Sequence, residues 1–219
     1  KNIAKTFPFN QIKLSDGSLS NIYNTNNNPN NISLVQDDIL FNFIKNNSNN
    51  KIRYILSIGV EKFTLITNRT SKINSWNDLN NKRIGTLGKN TGSYFTLKNI
   101  LTSYEIRSKI VTTNIEQVTT LMLNKKIDAF FIVISHPDNL FRNINKKIPI
   151  KFISLDTLDQ KILKKIFPFA NKSKIDVDEY HIPSNKIINT LETKINVICN
   201  HKLDKTHSYN FVKTIFSNL

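Results

Sequence analysis

The sequence is poor in the residues that most often build catalytic and metal centres. Its 219 residues include one cysteine, Cys199, and four histidines, at positions 136, 181, 201 and 207. A single cysteine excludes an intramolecular disulfide and a cysteine-rich metal site. The histidines have neither HExxH nor zinc-ligand spacing, and no G-x-S-x-G nucleophile elbow is present. We therefore predict that the protein is not an enzyme and has no catalytic residue, metal or cofactor.

Long hydrophobic runs are missing as well. The apolar stretch at residues 129–134 is far shorter than the roughly 20 residues that cross a bilayer as a helix. No charged segment followed by an apolar one, the pattern of a signal peptide, is visible at Lys1. Hydrophobic residues still make up 39% of the chain and charged residues 21%, which is typical of a globular protein. The length allows one large domain or two small lobes.

Acidic residues are few: 16 Asp and Glu stand against 31 Lys and Arg, for a net charge of +15. Such an excess can attract nucleic acid, a membrane surface or an acidic solute. The lysines are scattered, and aromatic residues do not alternate with basic ones as they do in RNA-binding motifs. Lys, Asn and Ile are all abundant and have AT-rich codons, so compositional drift explains the charge better. We predict no nucleic-acid partner.

Short β-branched or aliphatic segments alternate with helical patterns along the chain. The predicted strands cover residues 11–14, 32–35, 51–58, 63–67, 83–87, 110–113, 129–134, 151–154 and 195–199. The predicted helices include residues 39–44, 94–101, 115–123 and 158–166. This alternation predicts an α/β fold with mostly parallel sheets, in which ligands bind beyond the carboxyl ends of strands.

The most informative local segment is residues 83–93, an apolar strand that runs into a Gly- and Ser/Thr-rich turn before a helix. Free N–H groups and the helix dipole suit such a turn to an anion, and Thr91 and Ser93 add hydroxyl groups. An ordinary junction with Thr91 or Ser93 as N-cap explains the pattern equally well. The segment has neither the Gly-Lys-Ser/Thr triplet of a P-loop nor the Rossmann glycine spacing.

Three further junctions place polar residues after a strand. Ser18 and Asn21 lie three residues apart and share one face of a first helical turn, although turn chemistry also explains this spacing. Gln36 ends a strand and could bind a polar ligand, while the aspartates after it could cap the next helix. Ser135 follows the apolar strand at 129–134.

Taken in order, these segments resemble the TAXI family of TRAP-transporter solute receptors, which look like type II periplasmic binding proteins. The segments that carry the resemblance are residues 17–21 (GSLSN), 35–38 (VQDD), 73–84, 88–93, 125–131 (KKIDAFF), 166–169 (IFPF), 180–183, 195–197 and 209–216. Two departures stand out. The family's first strand and its Gly-Thr turn have no counterpart, since the chain opens in the helix predicted at residues 2–7. Asn81 replaces a usual glycine.

The resemblance implies a two-lobed type II periplasmic binding protein fold, with a mostly parallel sheet and flanking helices in each lobe and two crossover strands between them. Lobe one would comprise residues 1–67 and 153–219, and lobe two residues 68–152. The implied protein is a secreted, periplasmic, monomeric receptor without a cofactor. It would capture a small carboxylate or amino-acid-like solute for TRAP membrane permease subunits. The expected ligand-binding residues are Ser18, Asn21, Gln36, Thr91, Gly92, Ser93 and Ser135.

Two alternatives remain open. A ligand-sensing domain of the same fold could regulate a partner protein instead of feeding a transporter. A degenerate basic module could bind an anionic surface through its charge, which predicts a steep salt dependence of binding.

Overall fold

The structure, a computed structural model, describes residues 13–183 and 187–217. The helix predicted at residues 2–7 and the first half of the strand predicted at 11–14 lie outside this part of the chain. Lys13 and Leu14, which complete that predicted strand, are not in a strand. In the described residues no helix is long and apolar enough to cross a membrane.

The α-helices and strands alternate over most of the chain. The helices are α1 (Ser18–Asn27), α2 (Asp37–Asn46), α3 (Gly92–Ser103), α4 (Val118–Leu123), α5 (Asn139–Lys147), α6 (Gln160–Ile166) and α7 (Lys205–Phe216). The strands are β1 (Ile32–Gln36), β2 (Ile52–Asn68), β3 (Arg83–Thr86), β4 (Lys109–Thr112), β5 (Ala129–Ile134), β6 (Ile150–Phe152), β7 (Asn171–Asp176) and β8 (Ile187–Asn200).

The described strands form one continuous sheet in the order β1-β8-β2-β5-β3-β4, with β6 beside β2 and β7 beside β8. Only the β3–β4 and β3–β5 pairs are parallel, and the other pairs are antiparallel. The sheet is therefore mixed, and the expectation of mostly parallel sheets was wrong outside β4-β3-β5. Parallel neighbouring strands need a crossover connection. Here α3 connects β3 to β4, and α4 connects β4 to β5.

Strand β2 runs without interruption where the sequence predicts two strands, at 51–58 and 63–67. Its first part pairs with β8, and its second part pairs with β5 and β6. Two register shifts, between residues 54 and 56 and between 57 and 59, mark β-bulges in the first part. A bulge bends a strand without ending it, so the polar and glycine-containing stretch near residue 59 does not terminate β2.

Alternate residues of the central strands enter cores on opposite faces of the sheet. Phe131 and Leu65 belong to one buried cluster, which also contains Trp76, whereas Phe130 and Ile66 belong to a second. This is the two-residue period expected of a strand covered on both faces. A third cluster, smaller than these two, lies between α1, α2 and the β1–β8 region.

The buried clusters bear on how the chain divides into lobes. Leu155, Leu163 and Phe167 follow the boundary predicted after residue 152, yet they pack in the cluster that contains Trp76 and Phe131. One core thus takes side chains from both sides of that boundary. The lobe ranges 1–67, 68–152 and 153–219 stay a prediction.

Candidate functional site

A cleft of about 630 Å³ opens where the start of α1, the end of β1 and the loops after β3 and β4 meet. Five of the seven predicted ligand-binding residues line it: Ser18, Gln36, Thr91, Gly92 and Ser93. The strand–turn–helix junctions identified in the sequence are brought together here because β1 and β5 run in opposite directions beside the central strands and both end level with the middle of β2, near residues 59–62, and β3 is parallel to β5. The structure thus provides a concave surface for a small molecule.

The amino-terminus of α3 forms one wall of the cleft. Thr91 is its N-cap: Oγ1 accepts a hydrogen bond from Tyr94 N at 3.2 Å and donates one to Gly88 O at 2.8 Å. Ser93 is buried, and its Oγ accepts a hydrogen bond from Val133 N at 3.0 Å, which ties α3 to β5. Both hydroxyls therefore hold the loop and helix in place. The groups left to meet a ligand are the N–H groups of the first helical turn.

Gln36 carries a buried hydrogen-bond donor at this wall. The residue is 6% exposed, and its Nε2 has no hydrogen-bond partner among the described residues. The side-chain amide packs so closely on Gly92 that a Cβ there would overlap it. Ser18 Oγ accepts a hydrogen bond from Gln36 N at 3.2 Å and so fixes the end of β1. A buried donor left unpaired costs about 1–3 kcal/mol, which a ligand acceptor would recover.

The start of α1 touches the α3 wall through backbone atoms. Leu19 N donates a hydrogen bond to Asn90 O at 3.2 Å. Gly17 has φ of 129°, and a Cβ on it would lie 2.7 Å from Thr91 Cα. Only glycine accommodates both this dihedral and this close approach. The two helix N-termini therefore converge on one end of the cleft.

Three acidic residues that were not among the predicted ligand-binding residues line the cleft, Asp16, Glu61 and Glu116, and Asp38 lies near Glu61 outside the lining. Glu61 lines the cleft from β2, and burial together with the nearby Asp38 carboxyl raises the pKa of Glu61 to about 7. Asp38 is 7% exposed, and burial raises its pKa to about 6. Asp38 Oδ2 accepts a hydrogen bond from Thr96 Oγ1 at 2.6 Å, whereas Oδ1 is unpartnered in the described structure. The sequence signal for Glu61 is slight: it is the only acidic residue of β2.

Asn21 and Ser135, the other two predicted residues, do not line the cleft. Asn21 Nδ2 donates a hydrogen bond to Leu34 O at 2.7 Å, which fastens α1 to β1. Ser135 Oγ donates a hydrogen bond to Val60 O at 3.0 Å. Spacing placed Asn21 one helical turn after Ser18, but its side chain turns towards the neighbouring strand.

The histidine next to Ser135 lies in a packed aromatic cluster and not in the cleft. His136 Nε2 is 2.8 Å from Thr64 Oγ1, and Nδ1 is 2.6 Å from the Tyr180 hydroxyl. Its ring stacks on Phe141, with centroids 5.1 Å apart. Burial and the Lys62 charge lower the pKa of His136 to about 4. Within residues 13–183 and 187–217, no cluster of three or more His, Cys, Asp and Glu side chains could hold a metal ion.

Comparison with known proteins identifies the fold and the family. The sequence matches the NMT1-like family over residues 7–219. The match is to this family and not to the TAXI receptors specifically, so TAXI membership stays a prediction. No functionally curated protein matches the sequence.

Solved structures with a similar fold are ligand-binding proteins. The GluR0 ligand-binding core in complex with L-glutamate aligns with 99% of this chain and 80% of its own, with a TM-score of 0.56 and 11% identity. The substrate-binding protein of an amino acid ABC transporter aligns over 97% and 75%, with a TM-score of 0.55 and 15% identity. XAC2383 from Xanthomonas citri, bound to chloride, aligns over 88% and 64%, with a TM-score of 0.55 and 7% identity.

These neighbours confirm the type II periplasmic binding protein fold predicted from the sequence. Several other transport-associated binding proteins match with TM-scores below 0.5, and the chain spans only 39% to 60% of their length. At identities this low the likeness establishes the fold, and the ligand has to be argued from the cleft itself.

Proposed function

The chain belongs to the NMT1-like family, and we propose that it is a solute receptor. It captures a small carboxylated molecule in the cleft between α1 and α3, leaves it chemically unchanged, and presents it to a membrane transporter. The observation that carries this proposal is the Nε2 of Gln36, which has no hydrogen-bond partner among the described residues and is buried beside the amino-terminus of α3 at the cleft.

The chemistry of this wall supports a carboxylate as the bound group. Gln36 Nε2 is a donor, and the first-turn N–H groups of Gly92 and Ser93 are donors at the positive end of a 12-residue helix. A carboxylate offers two acceptor oxygens, and hydrogen bonds to an ionised acceptor are roughly twice as strong as neutral ones. Ser18, Thr91 and Ser93 contribute through their hydroxyls by holding the backbone that presents these donors.

Capture and release would follow from a relative movement of the two sides of the cleft. The long strands β2 and β8 connect the region around β1 with the region around β5, and residues 60 and 61 of β2 lie between the stretch opposite β1 and the stretch paired with β5. Hinge movement of this kind is a general way to enclose a ligand. A bound carboxylate bridging α3 and the end of β1 would favour the closed arrangement.

The partner that we propose is a membrane permease. The receptor would bind its solute outside the cytoplasm and deliver it to this permease there. One fold neighbour is the substrate-binding protein of an amino acid ABC transporter, whereas the TAXI resemblance implies a TRAP-type permease. The TRAP assignment, the periplasmic location and the monomeric state are predictions that follow from that resemblance.

A thermal-shift screen against amino acids, keto acids and dicarboxylates tests the proposal. A solute at 100 times its Kd adds about 2.7 kcal/mol to the free energy of unfolding, so a hit raises Tm. The variant Gln36→Ala should lose most of this gain. Asn21→Ala, which removes an amide outside the cleft, should keep it. If no solute raises Tm, or if both variants lose the gain equally, the proposed cleft function is wrong.

A second candidate function is ligand sensing, since the GluR0 ligand-binding core shares the fold over 99% of this chain. Both functions use the same cleft and differ in the partner. Affinity purification from membranes, with and without the solute, separates them: a receptor for transport retains a permease, whereas a sensing domain retains a regulated protein that has no transport activity.

A further inference from the structure

Glu61 presents to the cleft a carboxyl group that forms no hydrogen bond or ion pair with any described residue. It lies opposite Thr193 in the β2–β8 ladder. The adjacent Lys62 directs its ammonium group elsewhere, since its Nζ donates a hydrogen bond to Lys174 O at 2.6 Å. Lys89 also lines the cleft, but none of the ion pairs between described residues includes Glu61.

Asp38, which does not line the cleft, adds a second carboxyl group close to Glu61. Its carboxyl is 7% exposed, with one oxygen unpartnered in the described part of the chain, and it acts on Glu61 through space. Burial raises the pKa of both groups. A partly buried carboxylate without a counter-charge is costly, so a cation arriving at this end would stabilise the ionised form of Glu61.

The α3 wall offers hydrogen-bond donors, in contrast to the carboxyl group of Glu61. Gln36 is more than nine-tenths buried and its donor is unpaired among the described residues, which indicates independently of the acidic pair that the cleft is shaped for a ligand. The cleft therefore combines hydrogen-bond donors at Gly92 and Ser93 with an acceptor at Glu61, within a space of about 630 Å³. That volume suits a small metabolite.

We propose that the cleft selects zwitterions, with Glu61 receiving a protonated amine and the Gln36 amide with the α3 amino-terminus receiving a carboxylate. This inference rests on the proposed solute-binding function and narrows its substrate class to amino acids and similar molecules. A dicarboxylate would bring like charge to Glu61, and a keto acid would offer it no donor, so both are disfavoured.

Isothermal titration at about pH 7 with matched probes tests this selectivity. The pairs are L-leucine with 4-methyl-2-oxopentanoate, L-glutamate with 2-oxoglutarate, and L-alanine with pyruvate, which differ in the amine alone. We expect the amine-bearing member of the best pair to bind at least about tenfold more tightly, as the loss of a charge-assisted hydrogen bond requires. Glu61→Gln should remove that preference and leave the affinity for the keto acid unchanged.

Glu105→Gln is the matched control, because Glu105 is an exposed acidic residue that does not line the cleft. It should change affinity by less than about twofold. Urea unfolding of Glu61→Gln should show no loss of stability, since a buried carboxyl is removed, and this separates lost binding from lost fold.

The outcomes distinguish this inference from the function on which it rests. Keto acids or dicarboxylates that bind as tightly as the amines, or an unchanged preference in Glu61→Gln, would overturn the zwitterion assignment and leave solute binding intact. If no member of any pair binds, the proposed function fails and this inference fails with it.

Discussion

At the scale of single residues, the site depends on two glycines that meet other chain segments. Gly92 leaves room for the Gln36 amide, and Gly17 adopts a φ of 129° against the backbone of Thr91. Gly88, in the same loop, has open space around it and no such dihedral. A methyl group would therefore clash at Gly17 and Gly92 but not at Gly88, a difference that the sequence alone does not reveal.

The variant Gly17→Ala should be destabilised by about 1–3 kcal/mol, because it strains the backbone and forces a Cβ against Thr91 Cα. Gly88→Ala is the control and should stay within about 0.5 kcal/mol of the parent protein. Urea unfolding of both variants measures the difference. Equal stability of the two would show that the close contact between α1 and the α3 loop does not form in solution.

His136 should make stability depend on pH. Burial and the Lys62 charge lower its pKa to about 4 in the folded protein, against about 6.5 when unfolded. Between these values the unfolded chain binds the proton and the folded protein does not, so this contribution is complete above about pH 6.5 and is lost as pH falls towards 4.

The variant His136→Gln keeps a polar side chain but cannot titrate, so its unfolding free energy should fall less steeply over this range. The difference in slope should reach at most about 1.4 kcal/mol per pH unit. Glu61 and Asp38, whose pKa values are raised, act in the opposite direction, but they are common to both proteins and cancel. His201→Gln, at an exposed position, should keep the parental slope. Identical slopes in all three proteins would refute the assignment.

At the scale of elements, α3 positions the donors of the site, and its start is fixed by one side chain. Thr91 Oγ1 bonds to Tyr94 N and to Gly88 O, so it caps the helix and closes the preceding loop. Of the two interpretations of residues 83–93, the N-cap is confirmed at Thr91, whereas anion binding by the helix terminus stays a prediction.

Thr91→Ala should cost about 1 kcal/mol of stability through loss of the cap, with Thr91→Ser close to the parent. Thr102→Ala, near the other end of α3 and exposed, serves as the control and should be neutral or slightly stabilising because alanine favours helix. Thermal and urea unfolding measure these changes. A loss in Thr102→Ala equal to that in Thr91→Ala would contradict the capping role.

Apolar elements were predictable from the sequence, and polar ones were not. β5 occupies the predicted residues 129–134 because all six of its side chains are apolar. β7 has the sequence NKSKID and forms through its pairing with β8, which no local pattern reveals. α5 was also missed: Leu140, Phe141 and Ile144 give it one buried face, but asparagines and lysines dilute the pattern.

At the scale of the whole molecule, the site assembles from segments far apart in sequence. Gln36 and residues 91–93 were predictable because each follows a strand that ends in polar residues. Glu61 was not, since its place in the cleft depends on β2 continuing past its bulges and pairing with β8 near residue 193. The net charge of +15 gives no indication that three acidic residues, Asp16, Glu61 and Glu116, line the cleft.

Amide hydrogen exchange should report this architecture. Residues 63–67 of β2 are paired with β5 and lie in the middle of the sheet, whereas β4 is at its edge. We expect the amides at 63–67 to exchange through global unfolding and those at 109–112 to exchange faster through local opening. Mass spectrometry of peptides from both regions measures the rates. Equal protection would show that the sheet does not have this order.

The pairing of β1 with β8 also affects how the chain is made. Residues 32–36 find their partners at residues 195–199, so the strand synthesised early must wait for one synthesised near the end. At about 5–20 residues per second, the wait is roughly 10–30 s. During that time β1 and the apolar faces of α1 and α2 have no completed sheet to cover them. Nascent chains of this protein thus need a chaperone or an export factor more than a fold built from sequential neighbours would.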